Sequence, residues 1–303
     1  MKPKRIKLNR VAIVAKHHAK EIASVLATLV EWLEARGGKP YLESALAPLV
    51  RDRESFSLSK PPRDVDFFIV LGGDGTLLSV ARAIGSRQLP ILGVNLGSLG
   101  FLTDVAVKEL YSTLEAISKG EALIDSRMML NAELVRKGKT LLRDTILNDV
   151  VITKGAIARI IEVVIDVDRQ FVAVIRADGV IVSTPTGSTA YSLAAGGPIL
   201  YPTLNAMILT PICPHTLTYR PVVLSDHVTI DLTLRGDPGE VFLTFDGQAS
   251  EPLKPGDVIR VRKSRYGVKL LTLPDKNYFK VLRHKLRWAE RPRRRRRTSP
   301  PTP

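Results

Sequence analysis

The chain has 303 residues, 45% of them hydrophobic, and a formal net charge of +15, enough for one large core or two ordinary ones. Its single cysteine, Cys213, excludes an internal disulfide and a thiolate metal cage, and reads as a small buried hydrophobe. No apolar run reaches the roughly 18 residues of a membrane span, and the basic start is not followed by the core of a signal peptide, so a cytoplasmic protein without a membrane partner is expected.

Residues 11–14 form a short apolar strand. After it Ile22, Val25, Leu26, Leu29, Val30 and Leu33 recur at the spacing of one helix face, and Gly37-Gly38 ends that helix. Residues 39–42 begin a second strand, and 51–63, polar and carrying Pro61-Pro62, read as a loop. Phe67-Phe68-Ile69-Val70-Leu71 is apolar without alternation, as suits a parallel strand covered on both faces. It runs into Gly72-Gly73-Asp74-Gly75-Thr76. Glycines there let backbone N–H groups approach a phosphate, and the helix expected over 77–84 adds its dipole. Asp74 in the middle of this turn is an anomaly, because a carboxylate among phosphates is costly unless it takes a proton or holds a metal. The turn lacks the Gly-Lys-Ser/Thr of a P-loop, and Leu78 stands where a dinucleotide fingerprint needs its third glycine. A strand at 91–94, a second glycine-rich stretch from Gly93 through Asn95 and Gly100 to Leu102, and a helix near 107–118 complete an α/β unit with a parallel sheet, residues 1–125.

From 126 to 274 the texture changes to short alternating runs, clearest at 161–167, 171–175, 228–234, 241–245 and 258–261, with Asp168-Arg169 suited to a tight hairpin. An all-β, sandwich-like second domain is expected there, with a last helix, 275–290, packing back on the first. Asn148-Asp149 stands just ahead of a strand, an amide and a carboxylate able to bind vicinal ribose hydroxyls or a base edge, or simply to make a turn. Arg176, Asp178 and Gly179 precede a strand at 180–183. Thr184-Pro185-Thr186-Gly187-Ser188-Thr189-Ala190-Tyr191-Ser192 follows it. So many hydroxyls and N–H groups at the start of a short helix near 189–195 favour an anion site over a plain loop. Phe245-Asp246-Gly247-Gln248 alone is a hairpin turn. The five histidines show no zinc-ligand spacing, His215 reads as structural, and no Gly-x-Ser-x-Gly elbow is present. Residues 283–303 carry nine Lys/Arg against one Glu, about half of the net charge. Within them 291–303 has no apolar side chain and four prolines, and is expected to be a disordered basic tail.

In this order the clusters resemble the bacterial NAD kinase family. The matching residues are Gly72-Gly73-Asp74-Gly75-Thr76, Asn148-Asp149, Asp178-Gly179 with the run from Ser183 to Ser192, and Pro214-His215-Thr216-Leu217 with Arg220-Pro221. The glycine turn is shared with lipid kinases and phosphofructokinases, whereas the Thr-Pro-Thr-Gly-Ser-Thr-Ala-Tyr run is far more specific. The resemblance covers about residues 6–288. It implies transfer of the terminal phosphate of ATP, or of polyphosphate, with Mg²⁺, to the 2′-hydroxyl of the adenosine ribose of NAD, giving NADP. It further implies Asp74 as proton acceptor with Gly72, Gly73, Gly75 and Thr76 as the phosphate-donor loop. Asp74, Gly75, Asn148, Asp149, Arg159, Arg176, Asp178, Thr189, Ala190, Tyr191, Ser192, Leu193, Ala194 and Gln248 would contact NAD. No metal site made of protein ligands alone is implied, and a homo-oligomer, dimer or tetramer, is. Asp149 stands where many members carry Glu, Ala194 where serine is common, and Leu96 where bacterial relatives often have Arg. Two rivals to this reading are a lipid kinase of the diacylglycerol or sphingosine type and a nucleic-acid-binding role through the basic tail. The hydroxyl-rich run argues for a polar acceptor over a lipid, and no specific nucleic-acid partner is expected.

Overall fold

The computed structural model describes residues 5–16, 22–50, 53–156, 159–216, 218–236 and 239–287. The expected tail, 291–303, lies outside them, as do His17, His18 and Leu217. The first part of the chain contains β1 (Arg10–Ala15), α1 (Ile22–Glu34), β2 (Lys39–Glu43), β3 (Ser55–Phe56), β4 (Phe67–Leu71), α2 (Asp74–Ile84), β5 (Pro90–Asn95), β6 (Val105–Ala106), α3 (Leu110–Lys119) and β7 (Leu123–Arg127). The order β3-β2-β1-β4-β5 is parallel throughout. Strands β1 and β4 are apolar without alternation because helices cover both faces. Val11, Ile13, Phe67 and Ile69 pack with Leu26, Leu29, Val30 and Leu33 of α1 on one face, and Ala12, Val14, Phe68 and Val70 meet Leu77, Val80, Ala81 and Ile84 of α2 on the other. Since α1 and α2 lie on opposite faces, the carboxyl ends of β1 and β4 form the switch-point crevice where open α/β sheets bind ligands.

The chain then builds two six-stranded antiparallel sheets from β8 (Leu130–Arg136), β9 (Lys139–Ile146), β10 (Asp149–Lys154), β11 (Ile161–Val167), β12 (Gln170–Ala177), β13 (Gly179–Ser183), the short α4 (Tyr191–Ala194), β14 (Ala206–Ile212), β15 (Val222–Ser225), β16 (Ile230–Arg235), β17 (Val241–Phe245), β18 (Ala249–Pro252) and β19 (Val258–Lys263). The orders are β15-β14-β13-β10-β17-β18 and β12-β11-β16-β19-β8-β9. Alternate residues of facing strands fill the space between the sheets, Val150, Ile152, Val180 and Val182 from one and Val163, Ile165, Ile259 and Val261 from the other. Asp168 and Arg169, at φ of 50° and 66°, make the expected tight hairpin between β11 and β12.

Four details depart from the sequence reading. Strand β20 (Val268–Thr272) belongs to the first sheet, parallel to β5 and antiparallel to β7, so the chain returns there before residue 275. The last helix, α5 (Tyr278–Leu286), touches both sides: the Tyr278 ring lies 6.4 Å from Phe101 and 5.4 Å from Tyr201. The 51–63 loop contains β3. Cys213 is exposed rather than buried, because β14 ends at Ile212 and Cys213 turns the chain at φ 45°.

Candidate functional site

The glycine turn follows β4, and α2 begins at Asp74 itself, three residues earlier than the apolar pattern suggests. Asp74 is therefore the first residue of the helix, where the dipole favours a negative charge, and this removes part of the anomaly of an acid in the turn. Its cap, Gly73, contributes no side chain. Asp74 is held from outside the helix. Oδ1 accepts from Leu102 N at 3.0 Å, Thr103 N at 3.1 Å and Thr103 Oγ1 at 3.0 Å, and Oδ2 accepts from Phe101 N at 2.8 Å. A Cβ at Gly100 would overlap this carboxylate, so glycine is required there by close approach. Lys16, exposed at the end of β1, begins 3.5 Å from where a Gly72 side chain would start. A basic side chain thus starts beside the turn, which sequence reading missed; the signal was a basic residue directly after a switch-point strand.

The second domain closes on the head of α2 from β9, β10 and the β17–β18 hairpin. Gln248 donates from Nε2 to Gly75 O at 2.7 Å and accepts from Ser79 Oγ at 3.1 Å. Arg82 of α2 pairs with Asp144 of β9. Leu147 is buried in the first domain's core, which fixes Asn148 and Asp149 at the junction. Asp246, in the hairpin at φ 50°, does more than turn the chain: its carboxylate accepts from Leu147 N, Asn148 N and Asp149 N at 3.1, 2.7 and 3.2 Å. The Asn148 side-chain amide has no protein partner among the described residues, which leaves it open to a ligand. Asp149 is 4% exposed. Burial, and then the neighbouring Asp246, push its carboxyl up to about 7, against the opposing backbone N–H of Tyr191. Burial also raises Asp246, opposed by its three N–H donors and by Arg82.

The hydroxyl-rich run is used differently from the anion-site expectation. Thr184 Oγ1 donates to Leu147 O at 2.6 Å and accepts from Gly187 N, Ser188 Oγ donates to Pro185 O, and Ser192 Oγ pairs with Thr210 Oγ1 at 2.9 Å. Thr189 Oγ1 donates to Thr186 O at 3.3 Å. These hydroxyls fasten the loop to the protein, and the helix that follows, α4, is only four residues long. Gly187 lies so close to the Asn148 backbone that a Cβ would overlap it. The loop thereby braces Asn148 while Tyr191 and Ala194 are exposed and Thr189, Ala190 and Leu193 half-buried. Arg127, buried between the domains, ties Asp125 to Thr186.

Asp74, Gly75, Asn148, Asp149 and Gln248 thus gather at one junction, with Tyr191 brought to Asp149 through its N–H. Asp178 lies at the other end of β13, six positions or ~20 Å of strand from Thr184, and Arg176 stands near the end of β12 just before it. Asp178 pairs with Lys154 at 3.1 Å and Arg176 with Glu162 at 3.2 Å. Arg159 is exposed between β10 and β11. His215 is exposed too, its backbone N–H bonded to Arg176 O.

Comparison with known proteins covers nearly the whole chain. Residues 11–122 match the model of the ATP-NAD kinase N-terminal domain and 147–273 that of the C-terminal domain. The NAD kinases of Geotalea daltonii and Geobacter sulfurreducens are each 48% identical over 284 residues, 94% of this chain and 100% of theirs. Among solved structures, yeast NADH kinase complexed with NADH superposes with a TM-score of 0.85 at 25% identity, covering 94% of this chain and 89% of its own. An NAD kinase from Archaeoglobus fulgidus in complex with ATP gives 0.68 at 26% identity, covering 92% and 98%.

Proposed function

The chain belongs to the NAD kinase family, and from the junction at the head of α2 we propose that Asp74 accepts the proton of the adenosine ribose 2′-hydroxyl of NAD as that oxygen attacks the donor's terminal phosphate. The overall reaction is the phosphorylation of NAD to NADP. The observation that carries the assignment of Asp74 is the contact of Gln248 with Gly75, 2.7 Å, which joins the acid's own turn to the domain bearing Asn148 and Asp149. Phosphoryl transfer is mostly positioning and charge neutralisation, so an ordinary carboxylate held in place suffices as a late proton acceptor.

In this reading Asn148 and Asp149 bind the adenosine part, Thr189 to Ala194 line the cleft beside them, and an extended dinucleotide reaches toward Arg159, Arg176 and Asp178 with the nicotinamide at Asp178. The donor is ATP, as bound by the archaeal relative, with polyphosphate as the other candidate; it meets the N–H groups of Gly72, Gly73, Gly75 and Thr76, and the Lys16 ammonium lies over its phosphates. A divalent metal, Mg²⁺, accompanies the donor. Among the described residues no three His, Cys, Asp or Glu side chains gather to hold a metal; bound with the donor, such an ion would neutralise charge on its phosphates.

A homo-oligomer is part of the proposal. Phe171, Val172 and Val222, between 46% and 65% exposed, line a shallow apolar cleft of about 310 Å³ with Leu209 and Leu224, the kind of patch that a second copy covers. No helix among the described residues is long and apolar enough to cross a membrane, and the cytoplasm is the proposed location.

The test is a coupled assay of NADP formation with NAD and diacylglycerol offered side by side, and ATP and polyphosphate compared as donors. NADP formation that survives removal of residues 291–303 is the expected result. Phosphorylation of the lipid without NADP formation overturns the proposal.

A further inference from the structure

A carboxylate's terminal torsion is soft and two-fold, so the orientation of an aspartate must come from its partners. Asp74 gets its orientation from one loop. Of the ~four acceptor positions on a carboxylate, Oδ1 is saturated by Leu102 N, Thr103 N and Thr103 Oγ1, whereas Oδ2 has Phe101 N alone among the described residues. One lone pair on Oδ2 is left for a substrate.

The hydroxyl of Thr103 has its own orienting partner. Asn95, 6% exposed at the end of β5, donates from Nδ2 into Thr103 Oγ1 at 3.1 Å and to Ser98 O at 2.5 Å, and its Oδ1 accepts from Gly97 N at 2.6 Å. Because Asn95 donates into Oγ1, the Thr103 proton must point away from it, toward Asp74. Thr103 is fully buried, so water does not compete for that hydroxyl. The loop is braced from behind by the returning chain, where Thr272 Oγ1 donates to Asp104 Oδ2 at 3.3 Å and the Tyr278 ring packs against Phe101.

We propose that Thr103, oriented by Asn95, is a positioning residue for the phosphoryl transfer, locking Asp74 so that Oδ2 faces the acceptor hydroxyl. The proposal rests on the reading of Asp74 as proton acceptor. In that step the ribose oxygen forms a bond to the donor's terminal phosphorus while the bond from that phosphorus to the bridging oxygen breaks. The bridging oxygen keeps the electron pair and leaves on the shortened donor, and the hydroxyl proton goes to Asp74 Oδ2. A carboxylate free to rotate presents the wrong oxygen part of the time, and its cost falls on turnover rather than on binding, since misplacement by about 1 Å costs on the order of 10²-fold.

The experiment is a double-mutant cycle on the full chain, with Thr103→Val, Thr103→Ser, Asp74→Asn and the Asp74→Asn/Thr103→Val pair. Turnover and the KM values for NAD and ATP are measured for each, with a thermal melt to confirm folding. Thr103→Val is expected to lower kcat about 10- to 100-fold with both KM values within about twofold, Thr103→Ser to restore most of it, and the valine to add little once Asp74 is Asn. If Asp74→Asn is inactive while Thr103→Val turns over normally, the positioning role is overturned and the reading of Asp74 stands. Near-normal turnover of Asp74→Asn overturns that reading instead. Equal, additive losses in both backgrounds mark a purely structural threonine and also overturn the proposal. Should Thr103→Val not fold, Thr103→Ala set against Thr103→Ser gives the same comparison.

Discussion

Asp74, at the head of α2, and Asp149, at the head of β10, stand on the two sides of one domain junction, and the protein treats them in opposite ways. Asp74 receives four hydrogen bonds from a single loop. Asp149 is buried against a second carboxylate, Asp246, and its carboxyl is raised to about 7. One acid is held in place, and the other is placed so that its charge varies near neutral pH. An acid that takes a proton during transfer needs fixed geometry above all. An acid that only holds a ligand tolerates a shared proton, provided its neighbours stay satisfied. Asp246 meets that condition with three backbone donors of its own.

Removing the charge from Asp74 tests the first half most severely. Asp74→Asn is expected to lower turnover about 10²- to 10⁴-fold and to leave NAD affinity nearly unchanged, as measured by steady-state assay and calorimetry. Lys16 comes next, because in the proposed reading it serves the donor end of the same turn. Lys16→Met is expected to raise KM for ATP about tenfold, the order of one charge-assisted hydrogen bond, with KM for NAD constant; an unchanged KM for ATP removes Lys16 from the site. Gln248 links the halves, and losing its two bonds costs about 1 kcal/mol or a little more, near fivefold. If it acts as a latch, Gln248→Leu shifts the KM values of both substrates together; a change confined to NAD makes it a ligand contact instead.

How far the sequence reveals this arrangement depends on whether the cause is local. The strands around Phe67–Leu71 and the helix with Leu26, Leu29 and Leu33 are legible because burial on one or both faces writes itself directly into residue spacing. Strand β20 is not, since Val-Lys-Leu-Leu-Thr has the texture of the strands before it and only its neighbours in space assign it to the first sheet. The start of α2 is hidden by Gly75, a poor helix former inside the first turn. The clasp on Asp74 joins residues 27 to 29 positions apart and consists mostly of backbone N–H groups, which carry no side-chain signature. The hydroxyls of Thr184, Ser188 and Ser192 are visible as a composition, but their direction is not, and it is direction that makes them fasteners rather than an anion site. Asp246 looks like any hairpin acid until three N–H groups are seen to converge on it.

The smallest expected effect tests the second half through pH. The Asp149 carboxyl is raised in the folded protein from an ordinary 3.8 to about 7. Between those values the folded chain holds a proton that the unfolded chain has released. By linkage, stability is then lost as pH rises from about 4 toward 7 and stays lower above it. Asp149→Asn keeps the size of the side chain and removes the ionisation, so this part of the pH dependence disappears. Melting temperatures of the ligand-free protein at pH 5 and pH 8 should therefore fall further in the wild type than in Asp149→Asn, by on the order of a few °C at 2–4 °C per kcal/mol for a chain of this kind. Parallel slopes in the two proteins would mean that Asp149 keeps the same protonation in both states, and its contrast with Asp74 would reduce to a difference in burial. A steeper slope confined to the wild type means that the raised carboxyl costs stability when it ionises.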